Sequence, residues 1–248
     1  MDPNRPNAKS STSTLGWLGC GCGLLVALAL AGIVGMTWFG YRKGKEIERT
    51  FKDPATRTQA TREILQWREL PEGYYPAGAV SIPMLMEMAI LSDEEPQPGE
   101  AGHGRAFHER GLVFMSFNSW IGKEDELLRW LRGETKEAPK WIRRSDAKID
   151  PDQVLKRGAV EVNGQDIVYV VARGDARTQM PEPRSHARDE SLMTFFSFDC
   201  PGDNRARLGV WFSPDPVPAT PNAEVDLTGT VGDPERIREF VGHFEPCK

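Results

Sequence analysis

The hydrophobic pattern of this chain begins with one long uncharged apolar run, from Trp17 to Phe39. No charged residue lies between Lys9 and Arg42. At about 1.5 Å per residue, a helix of this length spans about 34 Å, which is enough to cross a hydrocarbon core of about 30 Å. We therefore predict a single transmembrane anchor helix over residues 15–41, preceded by a disordered polar tail over residues 1–14.

Two alternatives to an uncleaved anchor, a cleavable signal peptide and a lipoprotein signal, fit the pattern poorly. A signal h-region is about 7–15 residues long and ends at small residues, whereas this run is longer and ends in bulky ones.

Aromatic and basic side chains commonly flank a membrane span at its interfaces. The residues that we expect at these interfaces are Trp17, Trp38, Tyr41, Arg42, Lys43 and Lys45.

Small residues recur at every fourth position within the apolar run. The row consists of Gly19, Gly23, Ala27, Ala31 and Gly35. Such rows let two helix backbones approach closely, so this face is a candidate for homodimerisation through the membrane helix. The run is rich in Gly and Ala throughout, so a chance origin of the row stays open as the alternative.

The charge pattern and the position of the anchor disagree about orientation. Residues 41–55 contain five Lys and Arg residues, whereas residues 1–16 contain two, and the positive-inside rule then places the C-terminal domain in the cytoplasm. An anchor ahead of a long domain commonly exports that domain, and long domains translocate despite flanking charge. We expect the extracytoplasmic side, and the cytoplasmic side stays open.

After the anchor, the pattern predicts a juxtamembrane helical segment over residues 42–70 and a globular domain over residues 71–248. Asp53 followed by Pro54 is typical of a helix start, since Asp caps the helix and Pro suits its first position. The face of this helix that we expect to dock on the domain consists of Ala60, Ile64 and Trp67.

Short β-branched and aromatic runs predict the strands of the globular domain. These runs are Tyr74–Ile82, Met84–Leu91, Leu112–Phe117, Val160–Val162, Ile167–Val171, Leu192–Phe198 and Leu208–Phe212. Asn163-Gly164 separates two of them and is suited to a type I′ hairpin turn. Helical periodicity predicts two further helices, Lys123–Leu131 and Pro234–Phe244.

Because runs of strands lead into helices, the predicted fold class is α+β, with an antiparallel sheet of six or seven strands and helices packed on one face. Each half of the domain proceeds through strands into a helix, and Val113–Asn118 resembles Thr194–Asp199 in sequence. These two features suggest an internal duplication. Strands of one sheet can also resemble one another by pattern alone, so both explanations stay open.

Composition and cysteine usage narrow the function classes. The formal net charge is −5, which gives no electrostatic footprint for nucleic acid, so we expect no nucleic-acid partner. Cys20 and Cys22 alone cannot complete a tetrahedral zinc site. Cys200 and Cys247 are expected to form a disulfide if the domain is exported and to stay reduced in the cytoplasm.

The sequence offers no motif for catalysis, a cofactor or a metal. His103 and His108 lie in a Gly-rich loop with little to fix a ligand geometry, and His186 lies in a polar loop without a nucleophile elbow. His243, on the last predicted helix, is interpreted as a structural residue. We therefore predict no catalytic, cofactor-binding or metal-binding residues.

Three hypotheses of function remain. The first is a non-catalytic, membrane-anchored domain that binds or scaffolds an unidentified protein partner at the lipid bilayer. The second is a membrane-tethered enzyme whose site assembles from the loops at residues 93–110 and 173–190. The third is an accessory component of a transmembrane signalling complex. A concave pocket that gathers carboxylates or histidines with perturbed pKa values from these loops would favour the enzyme.

Overall fold

A computed structural model provides the structure of this protein. It describes residues 42, 44–45, 48–96, 109–119, 123–140, 142, 148–175, 191–216 and 225–247. Within these ranges, no helix is both long enough and apolar enough to span a bilayer. Arg42 and Lys45 are exposed helical residues. The remaining predicted interface residues and the small-residue row lie outside the described residues: Trp17, Trp38, Tyr41, Lys43, Gly19, Gly23, Ala27, Ala31 and Gly35.

Seven antiparallel strands form one sheet in the order β1-β2-β3-β7-β6-β5-β4. The strands are β1 Tyr75–Ile82, β2 Met86–Ser92, β3 Gly111–Phe117, β4 Lys148–Val162, β5 Gln165–Asp175, β6 Ser191–Ser197 and β7 Ala206–Pro214. Three helices have their bounds within the described residues: α1 Pro54–Leu65, α2 Glu124–Leu131 and α3 Pro234–Val241. The α+β class and the antiparallel sheet are thus confirmed.

The helices cover both faces of the sheet, so the expectation that they pack on one face was wrong. Buried residues of α1 and α3 share one core cluster with the sheet, whereas α2 packs into a second cluster. The reason lies in strands such as β5, where the neighbouring residues Val170 and Val171 are both fully buried. Side chains alternate between the two faces of a strand, so a continuous apolar run needs a cover on each face.

The strand order bears on the internal duplication. β3 and β7 are neighbours at the middle of the sheet, with β2–β1 outside one and β6–β5 outside the other. A duplicated unit would therefore relate β3 to β7. The two segments that resemble each other in sequence lie in β3 and β6, which do not hold equivalent positions, and duplication stays a prediction.

The buried stripe of α1 differs from the expected one. Arg57, Thr61 and Leu65 are its buried residues, while Ala60 and Ile64 are half-buried and the buried Trp67 lies beyond the helix end. The Arg57 guanidinium donates to the carbonyl oxygens of residues 51 and 96 at 3.0 and 3.3 Å. Polar side chains can occupy a buried stripe when backbone carbonyls satisfy them.

Caps and turns follow the local sequence. The Asp53 side chain accepts from the Thr56 N–H at 3.0 Å and caps α1, and Asp233 caps α3 by accepting from the Glu235 N–H at 3.0 Å. Asn163 and Gly164 have φ values of 52° and 76°, which is the left-handed pair that a type I′ turn requires.

The C-terminus is tied to the end of β6. Cys200 and Cys247 form a disulfide in the structure, with their Cα atoms 5.3 Å apart. The Glu245 N–H donates to the Leu65 carbonyl at 3.2 Å, and the Glu245 carboxylate pairs with Arg68 at 2.9 Å. The last residues therefore join α1 to the sheet.

A carboxylate beside two arginines is expected to make the stability of the domain fall at low pH. Asp203 accepts from Arg205 Nε at 2.9 Å and from the guanidinium of the buried Arg207. The hydrogen bond from Arg205, helped by Arg207, lowers the pKa of Asp203 well below its usual range. Because the pKa of Asp203 is lower in the folded than in the unfolded state, its ionised carboxylate stabilises the fold at pH values above the unfolded-state pKa, near 3.9. This stabilisation is lost progressively as the pH falls below about 3.9.

We therefore expect Asp203→Asn to be less stable than the wild type at pH 7, and the difference to shrink below about pH 4. Urea denaturation of both proteins at pH 7, 4 and 2.5 measures it. Asp125→Asn, an exposed change on α2, is the matched control and should change the stability only slightly. A constant difference for Asp203→Asn across this range would contradict the assignment.

Candidate functional site

A cleft opens at the edge of the sheet where β1 and β3 begin and where β2 and β7 end. It encloses about 440 Å³, which lies within the usual range of about 300–1,000 Å³ for small-molecule sites. Its lining comes from the turn before β1, the start of β3, the end of β7, the loop before α3, and α3 itself. The main side chains of this lining are Glu72, Tyr74, Arg110, Trp211, Ser213, Thr230, Arg236, Glu239, Phe240 and His243.

Three buried aromatic rings form the floor of the cleft. Trp211 and Phe240 stack with their ring centroids 4.1 Å apart and their planes at 2°. Tyr74 packs against Phe240 at 5.1 Å, and Trp211 Nε1 donates a hydrogen bond of 2.7 Å to the Tyr74 hydroxyl oxygen. The stack and this hydrogen bond hold the three rings in one arrangement, since a buried indole N–H needs an acceptor.

The local sequence explains how each ring reaches the floor. Tyr74 follows a turn in which Gly73 has a φ of 74°, a conformation that suits glycine. Trp211 lies on β7, opposite Leu112 of β3 and Thr194 of β6. Phe240 belongs to the buried stripe of α3, and this stripe packs on the same face of the sheet.

Charged groups surround the mouth of the cleft. The Arg110 guanidinium lies 5.5 Å from the centre of the Tyr74 ring, which is within range of a cation–π interaction. Arg236 and Glu239 form an exposed ion pair at 3.1 Å. Glu72 lies on the exposed turn before β1.

His243 is fixed by a backbone contact. Its Nδ1 lies 2.9 Å from the Glu69 carbonyl oxygen. A carbonyl only accepts hydrogen bonds, so Nδ1 carries the proton, and in the neutral ring Nε2 is the free acceptor. This side chain is half-buried and lines the cleft. It was predicted to lie on the last helix, but α3 ends at Val241, so His243 follows it.

Tyr74 is a neutral hydrogen-bond donor in this setting. Burial raises the pKa of Tyr74, and the hydrogen bond from Trp211 and the charge of Arg110 oppose that shift only in part. The phenol therefore keeps its proton at neutral pH. Because its oxygen already accepts from Trp211, its O–H remains to donate.

The threonine and serine hydroxyls of the lining donate hydrogen bonds to backbone carbonyls. Thr230 Oγ1 donates to the Leu227 carbonyl at 2.7 Å, and Ser213 Oγ donates to the Pro214 carbonyl at 3.4 Å. Activation of a hydroxyl nucleophile needs an adjacent general base, and a carbonyl is not one. The described lining thus offers recognition groups and no activated hydroxyl.

The two loops proposed for an assembled enzyme site are described only in part. Their described ends share the sheet edge that carries the cleft, since Ser92 pairs with Gly111 and Gly174 pairs with Ser191. Arg110 lines the cleft, whereas Arg173 is buried in an ion pair with Asp215 at 2.6 Å. The remaining residues of both loops lie outside the described residues, among them His103, His108 and His186.

No cluster of three or more His, Cys, Asp or Glu side chains suited to a metal occurs in the described ranges. Tyr74, Trp211 and Phe240 were not predicted as site residues from the sequence. Each has the apolar pattern of an ordinary core residue, and only their meeting in space distinguishes them. Neither the protein-family models nor the curated proteins include a match to this chain.

Proposed function

We propose that this protein is a single-pass membrane protein whose α+β domain binds a ligand at the cleft without catalysing a reaction. The observation that carries the proposal is that the rings of Tyr74, Trp211 and Phe240 pack together as the floor of the cleft, while charged side chains surround its entrance. Small-molecule sites combine apolar walls with a few placed polar groups. The hydrogen bonds that the Thr230 and Ser213 hydroxyls donate to backbone carbonyls favour binding over the enzyme hypothesis.

The apolar run from Trp17 to Phe39 supports the membrane anchor in this proposal. The disulfide between Cys200 and Cys247 favours the extracytoplasmic side, because disulfides persist in oxidising compartments. Ligand binding on that side is compatible with an accessory role in signalling, which would need a second protein across the membrane.

Fluorine NMR tests the cleft directly. The full-length protein, labelled with 5-fluorotryptophan in lipid nanodiscs, is titrated with water-soluble aromatic acids, amides and amines. Trp211→Phe and Trp130→Phe assign the two reporter resonances, since Trp130 is buried on the opposite face of the sheet.

The proposal predicts that compounds which bind shift the Trp211 resonance in a saturable manner and leave Trp130 unchanged. A panel in which no compound shifts Trp211, or in which both resonances move alike, would count against the cleft as the binding site.

A further inference from the structure

We propose that the ligand of the cleft carries an anionic oxygen group, such as a carboxylate, on a flat apolar body. This inference rests on the proposed function and adds the chemical class of the ligand. Arg110 and the Tyr74 hydroxyl receive the anionic group, and the rings of Trp211 and Phe240 border the apolar body.

Arg110 is the available cation at the mouth. In the part of the chain that the structure describes, its guanidinium forms no ion pair or hydrogen bond, and it lies over the Tyr74 ring and close to Gly73. Its backbone is held in place because its N–H donates to the Asp93 carboxylate at 3.1 Å. A guanidinium presents five N–H donors in a planar fork that matches the two oxygens of a carboxylate.

The Tyr74 hydroxyl supplies a second donor beside this cation. Its oxygen is occupied by the N–H of Trp211 at 2.7 Å, and no acceptor for its own proton occurs among the described residues. A buried donor without an acceptor costs free energy. An oxygen of a bound anion would satisfy it.

The other charges around the cleft are of both signs. Arg236 and Glu239 neutralise each other through their ion pair. Glu72 and Arg110 are both exposed, so water and salt screen the two charges alike. The Asp93 carboxylate accepts from the Arg110 backbone N–H, and its charge also acts on Tyr74. The preference for an anionic group therefore rests on the N–H donors of Arg110 and the O–H donor of Tyr74, and not on the net charge of the cleft.

The aromatic floor of the cleft is the reason for proposing a ligand with an apolar body. The stacked pair of Trp211 and Phe240 is buried and presents apolar ring surface to the cleft. Flat aromatic groups pack well against such rings in offset or edge-to-face geometry. The volume of about 440 Å³ accommodates a ligand larger than a simple inorganic anion.

Isothermal titration calorimetry with a matched pair of probes tests the inference. The probes are 3-phenylpropionate and its uncharged amide, 3-phenylpropionamide, each titrated into the full-length protein in nanodiscs. The acid is expected to bind about tenfold or more tightly than the amide, since hydrogen bonds to charged groups are stronger than neutral ones. The protonated amine 3-phenylpropylamine is the probe of opposite charge.

Two variants and one control separate the roles of the residues. Arg110→Gln should abolish the preference for the acid, and Tyr74→Phe should reduce it several-fold while both probes still bind. Arg129→Gln changes an exposed arginine of α2 on the opposite face and should leave both affinities unchanged. The fluorine spectra confirm that each variant retains the wild-type fold.

Equal affinity for the acid and the amide, a preference that survives in Arg110→Gln, or tighter binding of the amine would overturn the inference. Failure of both the acid and the amide to bind would overturn it as well. The proposed function is judged separately, by the Trp211 resonance with the wider panel of compounds. The two failures are therefore distinguishable.

Discussion

Replacing Cys247 with serine is expected to lower the free energy of unfolding by about 4 kcal/mol. The disulfide to Cys200 closes a loop with a sequence separation of 47, and a crosslink of this span restricts the unfolded chain by about that amount in the chain-entropy model. Loss of the crosslink also frees the segment whose Glu245 backbone bonds to Leu65. Urea denaturation monitored by circular dichroism measures the change.

Dithiothreitol provides the control for this prediction. It should lower the stability of the wild type to that of Cys247→Ser and leave the variant unchanged. A wild type that is insensitive to reductant under unfolding conditions, or a variant as stable as the wild type, would show that the crosslink does not form in the purified protein.

Asp215→Ala is expected to destabilise the domain by about 3–5 kcal/mol, because it removes a buried carboxylate that is paired with a buried guanidinium. Arg173 Nε lies 2.6 Å from the Asp215 carboxylate, and the Asp215 side chain is fully buried. The pair joins the end of β5 to the residue after β7, next to the edge that carries the cleft. Equilibrium unfolding of the single variant measures the cost.

The double variant Arg173→Met, Asp215→Leu is the informative control. Replacing a buried ion pair with apolar residues of similar size is often neutral or stabilising, so this protein should recover most of the lost stability. A single variant within about 1 kcal/mol of the wild type would contradict the assignment of a buried, mutually dependent pair.

The strands were largely predictable because their side chains alternate or run continuously apolar. β3 begins one residue before its predicted start, and the Asn163-Gly164 turn forms as its sequence indicates. The first part of β4 was missed. It contains polar residues from Lys148 onward, and its pairing with β5 is irregular near Val154. Both features interrupt the run of alternating or continuous apolar residues from which a strand is predicted.

The arrangement of the helices was less predictable. The pattern marks the buried face of a helix, but it does not say which face of a sheet receives that helix. In α1 the buried stripe includes Arg57 and Thr61, whose polar groups bond to backbone carbonyls such as that of Gly78. A hydrophobicity pattern assigns such residues to solvent.

The cleft could not be predicted because its parts are far apart in the sequence. Tyr74 and Trp211 share a hydrogen bond across a separation of 137 residues. Phe240 joins them only because α3 returns to the same face of the sheet. Arg110 lies at the end of the loop at residues 93–110, but the prediction for that loop concerned carboxylates and histidines, so Arg110 was not predicted as a cleft residue.

Photolabelling tests the central claim, that this cleft is the binding site, most directly. A 3-phenylpropionate derivative with a diazirine on its ring is irradiated with the full-length protein, and the labelled peptides are identified by mass spectrometry. We predict labelling of the segments at residues 71–74 and 229–243, with loss of that labelling in excess 3-phenylpropionate. Labelling confined to other surfaces, or unaffected by the competitor, would contradict the claim.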